Sequence, residues 1–246
     1  MTKKRADLFH QGIISEGVAI RRVRWQRSHR LIPTRYPPID LFERISDPKD
    51  WDALIELESL TNPRMRQELG EVSFVPKSRR VSGTGASIVM APFTHVSKDR
   101  PTRFSDGTYG VYYAAKEFET ALREVAFHMA RFHAATSDPA LSTAYREYVG
   151  KIDRVLHDIT QGDWSSLLGP KTTDYAVAQK FAKALRENGS NGILYPSVRN
   201  KGGLCVAAFH PDVVKIPVQG RHIQLHWNGS RIDKWFNEAD QTWSAL

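Results

Sequence analysis

Cysteine is almost absent from this chain, and several other features are missing altogether. Cys205 is the one cysteine among 246 residues, so neither an internal disulfide nor a multi-cysteine zinc site can form. No run of about 18 apolar residues occurs, and the first residues lack the apolar core of a secretory signal, so neither a membrane span nor export is expected. These absences favour a protein of the reducing cytoplasm.

Acidic residues are scarce in the first 35 positions. That segment holds nine Lys or Arg and two acids, a net charge of +7, whereas the whole chain carries +8. We therefore predict a basic extension over residues 1–40 and a nearly neutral domain over residues 41–246. The extension could bind an anionic partner such as a nucleic acid. A solvated arm laid over the domain is the favoured interpretation.

Two glycine signatures of known sites are missing as well, namely the dinucleotide-binding GxGxxG and the nucleophile elbow GxSxG. The stretch SGTGASIVMAPFTHV (82–96) contains only a GxG, and we interpret it as a tight turn leading into a strand. His128 and His133 lie five residues apart, whereas two metal ligands on one helical face lie three or four apart. No metal site is therefore predicted.

The elements that are present mix strands and helices without regular alternation, which favours an α+β domain. Helices are predicted from the periodicity of DPKDWDALIELESLTNP, EFETALREVAFHMARF and DYAVAQKFAKALRENGS. Strands are predicted at LFERI, VYYAA, REYVGKIDRVLHDIT, NGILYP and GLCVAAF, with a hairpin joining the last two. The C-terminal region is predicted to hold two short strands, an Asn228-Gly229 turn and a terminal turn of helix.

A turn, a strand and a helix follow one another in residues 103–125, RFSDGTYGVYYAAKEFETALREV. Arg103 precedes the turn, Tyr113 lies near the end of the strand, and Glu124 lies in the helix. Each residue alone is most often an ordinary surface or core position. Held around one ligand, the three would form a site.

A second candidate region follows Pro196, which cannot donate a hydrogen bond to a sheet and so ends or bulges the strand before it. Ser197 and Arg199 would then project from a strand end, where ligand sites are often placed. The other interpretation of Ser197 is a local hydrogen bond within the turn.

Five motifs in fixed order resemble the RES domain family: FERIS (42–46), SGTGA (82–86), TRF (102–104), YYAAKEFETALREV (112–125) and GILYPSVRNKGGLCVAAF (192–209). The resemblance covers roughly Leu41 to Trp235. It implies an ADP-ribosyltransferase-like fold, with a mixed or antiparallel sheet core and flanking helices. It also implies the toxin of a bacterial Xre–RES toxin–antitoxin pair, with an Xre-type antitoxin as partner.

The resemblance assigns five residues to a site for NAD+. The family's strand-end arginine falls on Arg44, its turn arginine on Arg103, its strand tyrosine on Tyr113, its helix glutamate on Glu124 and its late serine on Ser197. The chain departs from the family at Thr102, where glycine is usual, and in two insertions, one after Arg44 and one between Ala86 and Arg103. The longer RES proteins share such insertions, and some of them modify a protein.

Elementary chemistry agrees with these assignments. The planar guanidinium groups of Arg44 and Arg103 suit the diphosphate of NAD+. Cleavage of the nicotinamide–ribose bond builds positive charge on the ribose, which a carboxylate such as that of Glu124 would stabilise. Tyr113 could stack on the nicotinamide, and Ser197 and Arg199 could bind a ribose hydroxyl or a phosphate.

The resulting expectation is a toxin that consumes NAD+ as a substrate, with no prosthetic group, by hydrolysis or phosphorolysis. The alternative is mono-ADP-ribosylation of a cellular protein. A third possibility, of a different class, is a nucleic-acid-binding module that uses the basic extension. The neutral domain disfavours it, so nucleic acid is expected only through the antitoxin.

Overall fold

A computed structural model describes residues 17–36, 51, 70–171, 173 and 175–246. Within them, one sheet has eight strands: β1 (Ala19–Pro33), β2 (Tyr112–Ala115), β3 (Leu141–Asp158), β4 (Gly192–Pro196), β5 (Leu204–Ala208), β6 (Val218–Trp227), β7 (Ile232–Asn237) and β8 (Thr242–Ala245). Three α-helices flank it: α1 (Ala86–Thr94), α2 (Phe118–Thr136) and α3 (Ala176–Glu187). This arrangement confirms the predicted α+β class. No helix in the described part of the chain is long and apolar enough to cross a membrane.

Much of the predicted N-terminal extension forms strand β1, which belongs to the sheet. It pairs antiparallel with β3, from Ala19 opposite Asp158 to Pro33 opposite Tyr145. Its apolar residues alternate with arginines, so one face packs into the core and the other carries charge to solvent. The expected arm laid over the domain is therefore wrong for residues 19–33, which form a strand of the domain itself.

The neighbouring strand also neutralises part of the basic charge. Arg21 Nε lies 2.8 Å from Asp158 Oδ2, and Arg22 Nε lies 2.7 Å from Asp153 Oδ1. Composition alone assigned these arginines to a free basic segment. Pairing across the sheet leaves fewer of them available to a nucleic acid.

The strand pairings close a circuit around the region where the candidate residues lie. Strand β3 pairs with β1 on one edge, and on the other with β6 and, in parallel, with the start of β4. Strand β4 pairs with β5, β5 with β2, and β2 returns to β1 where His29 lies opposite Ala115. A register shift between Trp25 and Ser28 interrupts the pairing of β1 with β3. A bulge of this kind bends a strand, which helps β1 to reach both partners.

Three buried clusters hold the helices on this sheet. Helix α1 contributes Met90 and Phe93 to the first, and α3 contributes Phe181 to the second. Helix α2 packs on β6 and β7 through the third, which includes Leu122 and Ile223. These clusters fix α2 against the sheet. A second side of α2, adjacent to its buried face, therefore lies beside β1 and β2.

The glycine-bearing stretch 82–96 leads into helix α1, and the predicted strand is wrong. Gly85 adopts a φ of +82° at the start of the helix, a conformation that glycine reaches without strain. Ile88 and Val89 favour strands by local propensity, which explains the wrong prediction. The burial of Val89, Met90 and Phe93 against the sheet outweighs that preference.

The end of the chain is strand β8, and the predicted terminal turn of helix is wrong. Strand β8 pairs with β7 from Thr242 opposite Asn237 to Ala245 opposite Lys234. Gln241 adopts a φ of +51° in the intervening turn, which allows the chain to reverse. Strand β8 is held by backbone hydrogen bonds to β7, and no local sequence pattern predicts them.

Several other predictions are confirmed. Strands β4 and β5 form the expected hairpin, and the Asn228-Gly229 turn joins β6 to β7. The predicted LFERI strand, with Arg44, and most of the predicted helix after Asp47 lie outside the described residues. Trp51 is described and is fully buried in the first cluster.

A buried hydrogen bond between His29 and Glu147 couples β1 to β3 and yields a stability prediction. Glu147 is 1% exposed, and its Oε1 lies 2.5 Å from His29 Nδ1, while Oε2 accepts the Arg221 N–H. Burial opposes ionisation, but the hydrogen bond from His29, the Arg221 N–H and the Arg221 charge lower the pKa of Glu147 below 4.5. We expect Glu147→Gln to cost about 1–3 kcal/mol of unfolding free energy at neutral pH.

The pH dependence of that cost has a defined sign. A carboxyl group with a lowered folded-state pKa stabilises the protein above its unfolded value of 4.5, and loses that contribution as pH falls through the folded value. Thermal unfolding of the two proteins should therefore differ most near neutrality and converge below pH 4.5. Exposed Glu117→Gln is the control and should change little. A gap that stays constant down to strong acid would contradict the ionised state assigned to Glu147.

Candidate active site

A cavity of about 380 Å³ lies between α2 and strands β1, β2, β4 and β5. Its volume is within the range of pockets that bind small molecules. Three arginines line it, Arg30, Arg103 and Arg131, and Glu124 is the only carboxylate among its described lining residues. The cavity is therefore suited to an anionic ligand with one cationic part.

Arg103 enters the cavity from a rigid turn. Its Nη1 donates to the carbonyl oxygens of Leu167 and Gly169, at 3.0 and 2.9 Å, and its guanidinium lies 4.6 Å from the centre of the Tyr175 ring. The residue is 9% exposed and has no ion-pair partner among the described residues. With both Nη1 hydrogens engaged, the Nη2 and Nε hydrogens remain for a ligand.

Tyr113 ties this turn to the sheet. Its hydroxyl oxygen accepts the Phe104 N–H at 3.0 Å and lies 2.8 Å from Thr102 Oγ1. Thr102, which stands where the family usually has glycine, thus adds a hydrogen bond that a glycine could not make. Burial raises the pKa of Tyr113 to about 12, so the phenol stays protonated at neutral pH. Its ring lines the cavity, while its hydroxyl positions the backbone next to Arg103.

Glu124 is oriented by Ser197. Glu124 Oε1 accepts a hydrogen bond from Ser197 Oγ at 2.6 Å. The same hydroxyl oxygen accepts the N–H groups of Arg199 and Asn200 at 3.1 and 3.0 Å, so its hydrogen is directed at the carboxylate. Oε2 has no hydrogen-bond partner among the described residues and remains for a ligand. Ser197 therefore makes both the local turn bonds and the contact to the site.

Arg199 does not line the cavity. Its Nη2 donates to the carbonyl oxygen of Pro170, and its guanidinium lies 3.3 Å from the centre of the Phe127 ring. Arg103 and Arg199 thus hold the same loop, residues 167–170, through three of its carbonyl oxygens. In this structure Arg199 fixes a wall of the site.

Arg30, on β1, is the principal residue that the sequence analysis missed. Its Nη1 donates to the Tyr113 carbonyl oxygen at 3.0 Å, and its guanidinium lies 4.5 Å from the centre of the Tyr112 ring. Burial lowers the pKa of Arg30, its Nε is buried without a partner, and no carboxylate pairs with it among the described residues. A largely buried cation without a counter-ion favours the binding of an anion.

The other lining groups are not suited to nucleophilic attack. Burial raises the pKa of the Cys205 thiol far above neutrality, so the thiolate is not available. His128 lies one helical turn after Glu124. Burial and then the charges of Arg199, Arg131 and Arg103 lower its pKa below the usual range, so the imidazole is neutral at pH 7. The charged groups that share the cavity with Glu124 are therefore arginines, because His128 is neutral.

Arg103, Tyr113 and Glu124, from the turn–strand–helix unit, line one cavity as the sequence predicted. Ser197 joins them through Glu124, and Arg199 lies behind the wall. Arg44 lies outside the described residues. Two missed residues on α2 could have been found from the sequence, because His128 and Arg131 follow Glu124 at spacings of four and seven, on one helical face. Arg30 gave a weaker signal, a charge within the apolar strand HRLIP.

The fold and cavity define a class: an α+β protein with a cavity in which, among the described residues, three arginines accompany one carboxylate. The RES domain family model matches residues 77–228, and the chain belongs to the RES family. An uncharacterized protein, y4oC, of Sinorhizobium fredii (strain NBRC 101917 / NGR234) is 26% identical over 211 residues, covering 83% of this chain and 84% of that protein.

One chain of a solved complex resembles this chain in structure. A chain in the crystal structure of the M. tuberculosis MbcT–MbcA toxin–antitoxin complex is 14% identical in sequence and superimposes with a TM-score of 0.43. The similarity covers 90% of this chain and 92% of that chain.

The bond between Ser197 and Glu124 gives a prediction for the site. Ser197→Ala removes the donor to Glu124 and should lower the rate of the site's reaction about tenfold, with the larger change in kcat. Ser197→Thr keeps the hydroxyl and should restore most of the rate, which a purely steric role would not explain. Equal rates for the alanine variant and the wild type would show that Ser197 does not position Glu124.

Proposed function

We propose that this protein is the toxin of a toxin–antitoxin pair and that it cleaves the nicotinamide–ribose bond of NAD+. One observation carries the proposal: within the described part of the chain, two largely buried arginines without ion-pair partners, Arg30 and Arg103, share a cavity with a single carboxylate, Glu124. NAD+ presents a matching set of charges, a diphosphate and a cationic nicotinamide. Membership of the RES family supports the same chemistry.

The proposed reaction uses this chain's residues as follows. Arg103 Nη2 and the Arg30 guanidinium hold phosphate oxygens, and the Tyr113 ring packs against the nicotinamide. The bond from the ribose C1 carbon to the nicotinamide nitrogen breaks, and its electron pair leaves with that nitrogen, which neutralises the pyridinium. The carboxylate of Glu124, fixed by Ser197, stabilises the oxocarbenium that remains. An acceptor then bonds to C1 and releases its proton.

The acceptor defines the reaction type. Water gives a glycohydrolase, inorganic phosphate a phosphorylase, and a protein side chain an ADP-ribosyltransferase. We propose water or phosphate first, because either is small enough to reach C1 inside the cavity beside Glu124. An Xre-type antitoxin would inhibit the protein by covering this cavity.

Purified protein supplied with NAD+ tests the proposal. We expect nicotinamide release in buffer, and a strict need for phosphate would identify the phosphorylase. Release that appears only with cell lysate, together with ADP-ribose label on a protein, would favour the transferase. No release under any of these conditions would overturn the proposed chemistry.

A further inference from the structure

A second concavity, of about 440 Å³, adjoins the cavity described above. We call it the basic groove, and four cationic side chains line it: Arg24 and Arg27 from β1, Lys116 from the segment before α2, and Arg221 from β6. Glu117 is the only carboxylate among its described lining residues. His29 lines both the groove and the cavity, so the two share a wall.

The bulge in β1 forms one side of this groove. Pairing with β3 is interrupted between Trp25 and Ser28, so Gln26 and Arg27 leave the ladder. Bulges turn side chains away from the regular pleat and often occur next to functional sites. Arg27 is exposed and has no ion-pair or hydrogen-bond partner among the described residues. It therefore presents a full set of guanidinium donors to the groove.

The other three cations form only weak, widely spaced ion pairs within the described residues. None of the four side chains donates a hydrogen bond within the described part of the chain. Three ion pairs are long: Arg24 Nε to Asp153 Oδ1 at 3.9 Å, Lys116 Nζ to Glu117 Oε1 at 3.9 Å, and Arg221 Nε to Glu147 Oε2 at 3.7 Å. By contrast, Arg22 on the same strand makes a 2.7 Å bond to Asp153. The donor hydrogens of the groove are thus available to a ligand.

Two further features favour a phosphate-type anion. The Arg221 guanidinium lies 4.1 Å from the centre of the Phe118 ring, which restrains its plane for a two-point contact. Helix α2 begins at Phe118, and its N-cap residue Glu117 makes no side-chain capping bond. The positive end of a 19-residue helix therefore adds to the four cations. A phosphoryl group offers up to two charges and three acceptor oxygens, more than a single carboxylate.

We propose that the basic groove is a binding site for a phosphate-bearing ligand, distinct from the cavity that holds Glu124. The ligand has two possible sources with the same chemistry. It is either the adenylate phosphate of a nucleotide whose other phosphate lies in the cavity and which reaches across His29, or a phosphate of a separate molecule. The groove's existence as a site does not depend on NAD+ cleavage.

Calorimetric titration of the full-length protein with inorganic pyrophosphate tests the site. Arg27→Ala should weaken binding about tenfold, and Arg27→Ala combined with Arg221→Ala should weaken it further. Arg22→Ala is the matched control, because it removes the same charge from the same strand but lies outside the groove. It should change the affinity less than about threefold. Absence of pyrophosphate binding, or equal losses in Arg22→Ala and Arg27→Ala, would overturn the proposal.

A competition experiment separates the two sources. If ADP-ribose displaces pyrophosphate in proportion to its concentration, the groove holds the phosphate end of the nucleotide itself. If both bind together, the groove serves a separate phosphorylated molecule. Both results support the site, and neither requires turnover. Failure of pyrophosphate binding with normal nicotinamide release would remove the groove and leave the proposed function intact.

Discussion

Replacement of Glu124 by glutamine should reduce nicotinamide release by roughly a thousandfold and leave the fold unchanged. Glutamine has the same shape, so its amide oxygen can still accept the Ser197 hydroxyl hydrogen, a bond of 2.6 Å in the wild type. What is lost is the negative charge next to the ribose carbon. That charge matters most as the oxocarbenium forms, so the larger loss is expected in kcat, while the lost attraction to the cationic nicotinamide raises KM by a smaller factor.

Glu119→Gln is the matched control. Glu119 lies on the same helix and pairs with Arg123 on the exposed face, with a bond of 2.7 Å. The substitution removes the same charge away from the cavity and should leave the rate within about twofold. Thermal unfolding of both variants should be close to that of the wild type. If Glu124→Gln keeps full turnover, the site does not use this carboxylate, and the proposed mechanism is wrong.

Replacement of Arg103 by lysine should lower kcat/KM roughly a hundredfold. The positive charge remains, but a lysine cannot serve two carbonyl oxygens and a phosphate from one rigid plane. In the structure the guanidinium bonds Leu167 and Gly169 and stacks on Tyr175, so the variant would lose both the ligand contact and the position of the loop. We expect a rise in KM together with a fall in kcat, measured by steady-state kinetics.

Arg186→Lys provides the comparison. Arg186 also lies over a tyrosine, 4.8 Å from the centre of the Tyr109 ring, but it does not line the cavity. Its replacement removes a stacked guanidinium of similar surroundings and should leave kcat/KM nearly constant. If both arginine variants lose activity equally, the effect of Arg103 is one of general packing and not of ligand binding.

Three hydrogen bonds hold the loop at residues 167–170, two from Arg103 and one from Arg199. Ser197, two residues before Arg199, holds Glu124. The loop, the turn after β4 and helix α2 are therefore linked through these contacts. A substitution at Arg199 should shift the position of Glu124, although Arg199 does not line the cavity.

Much of this arrangement could be predicted from the sequence, because local patterns carry it. The periodicity of α2 and α3 and the turn residues around Gly107, Gly203 and Gly229 are local properties of the chain. The motifs of residues 102–125 and 192–209 pointed to Arg103, Tyr113, Glu124 and Ser197, and the structure brings these four side chains together at one cavity. The charges of these side chains then predicted a ligand that carries phosphate groups and develops positive charge.

Two elements were mistaken because their stability is not local. Residues 86–94 contain strand-forming Ile88 and Val89, but burial against the sheet makes them a helix. Residues 242–245 form a strand because β7 offers an unpaired edge. A single sequence does not reveal which surface will cover a segment, so propensity alone decided both predictions wrongly.

The sequence by itself determined the α+β class, the order of most elements and the residue types at the site. Only the tertiary structure decided which arginines surround Glu124. Arg30 was counted as part of a free basic arm, yet the pairing of β1 with β3 and β2 places it in the cavity, opposite Tyr113. The same pairing neutralises Arg21 and Arg22 and leaves Arg27, at the bulge, without a partner among the described residues. Charge is encoded residue by residue, but its partners are set by strand register, which depends on contacts more than 100 residues apart.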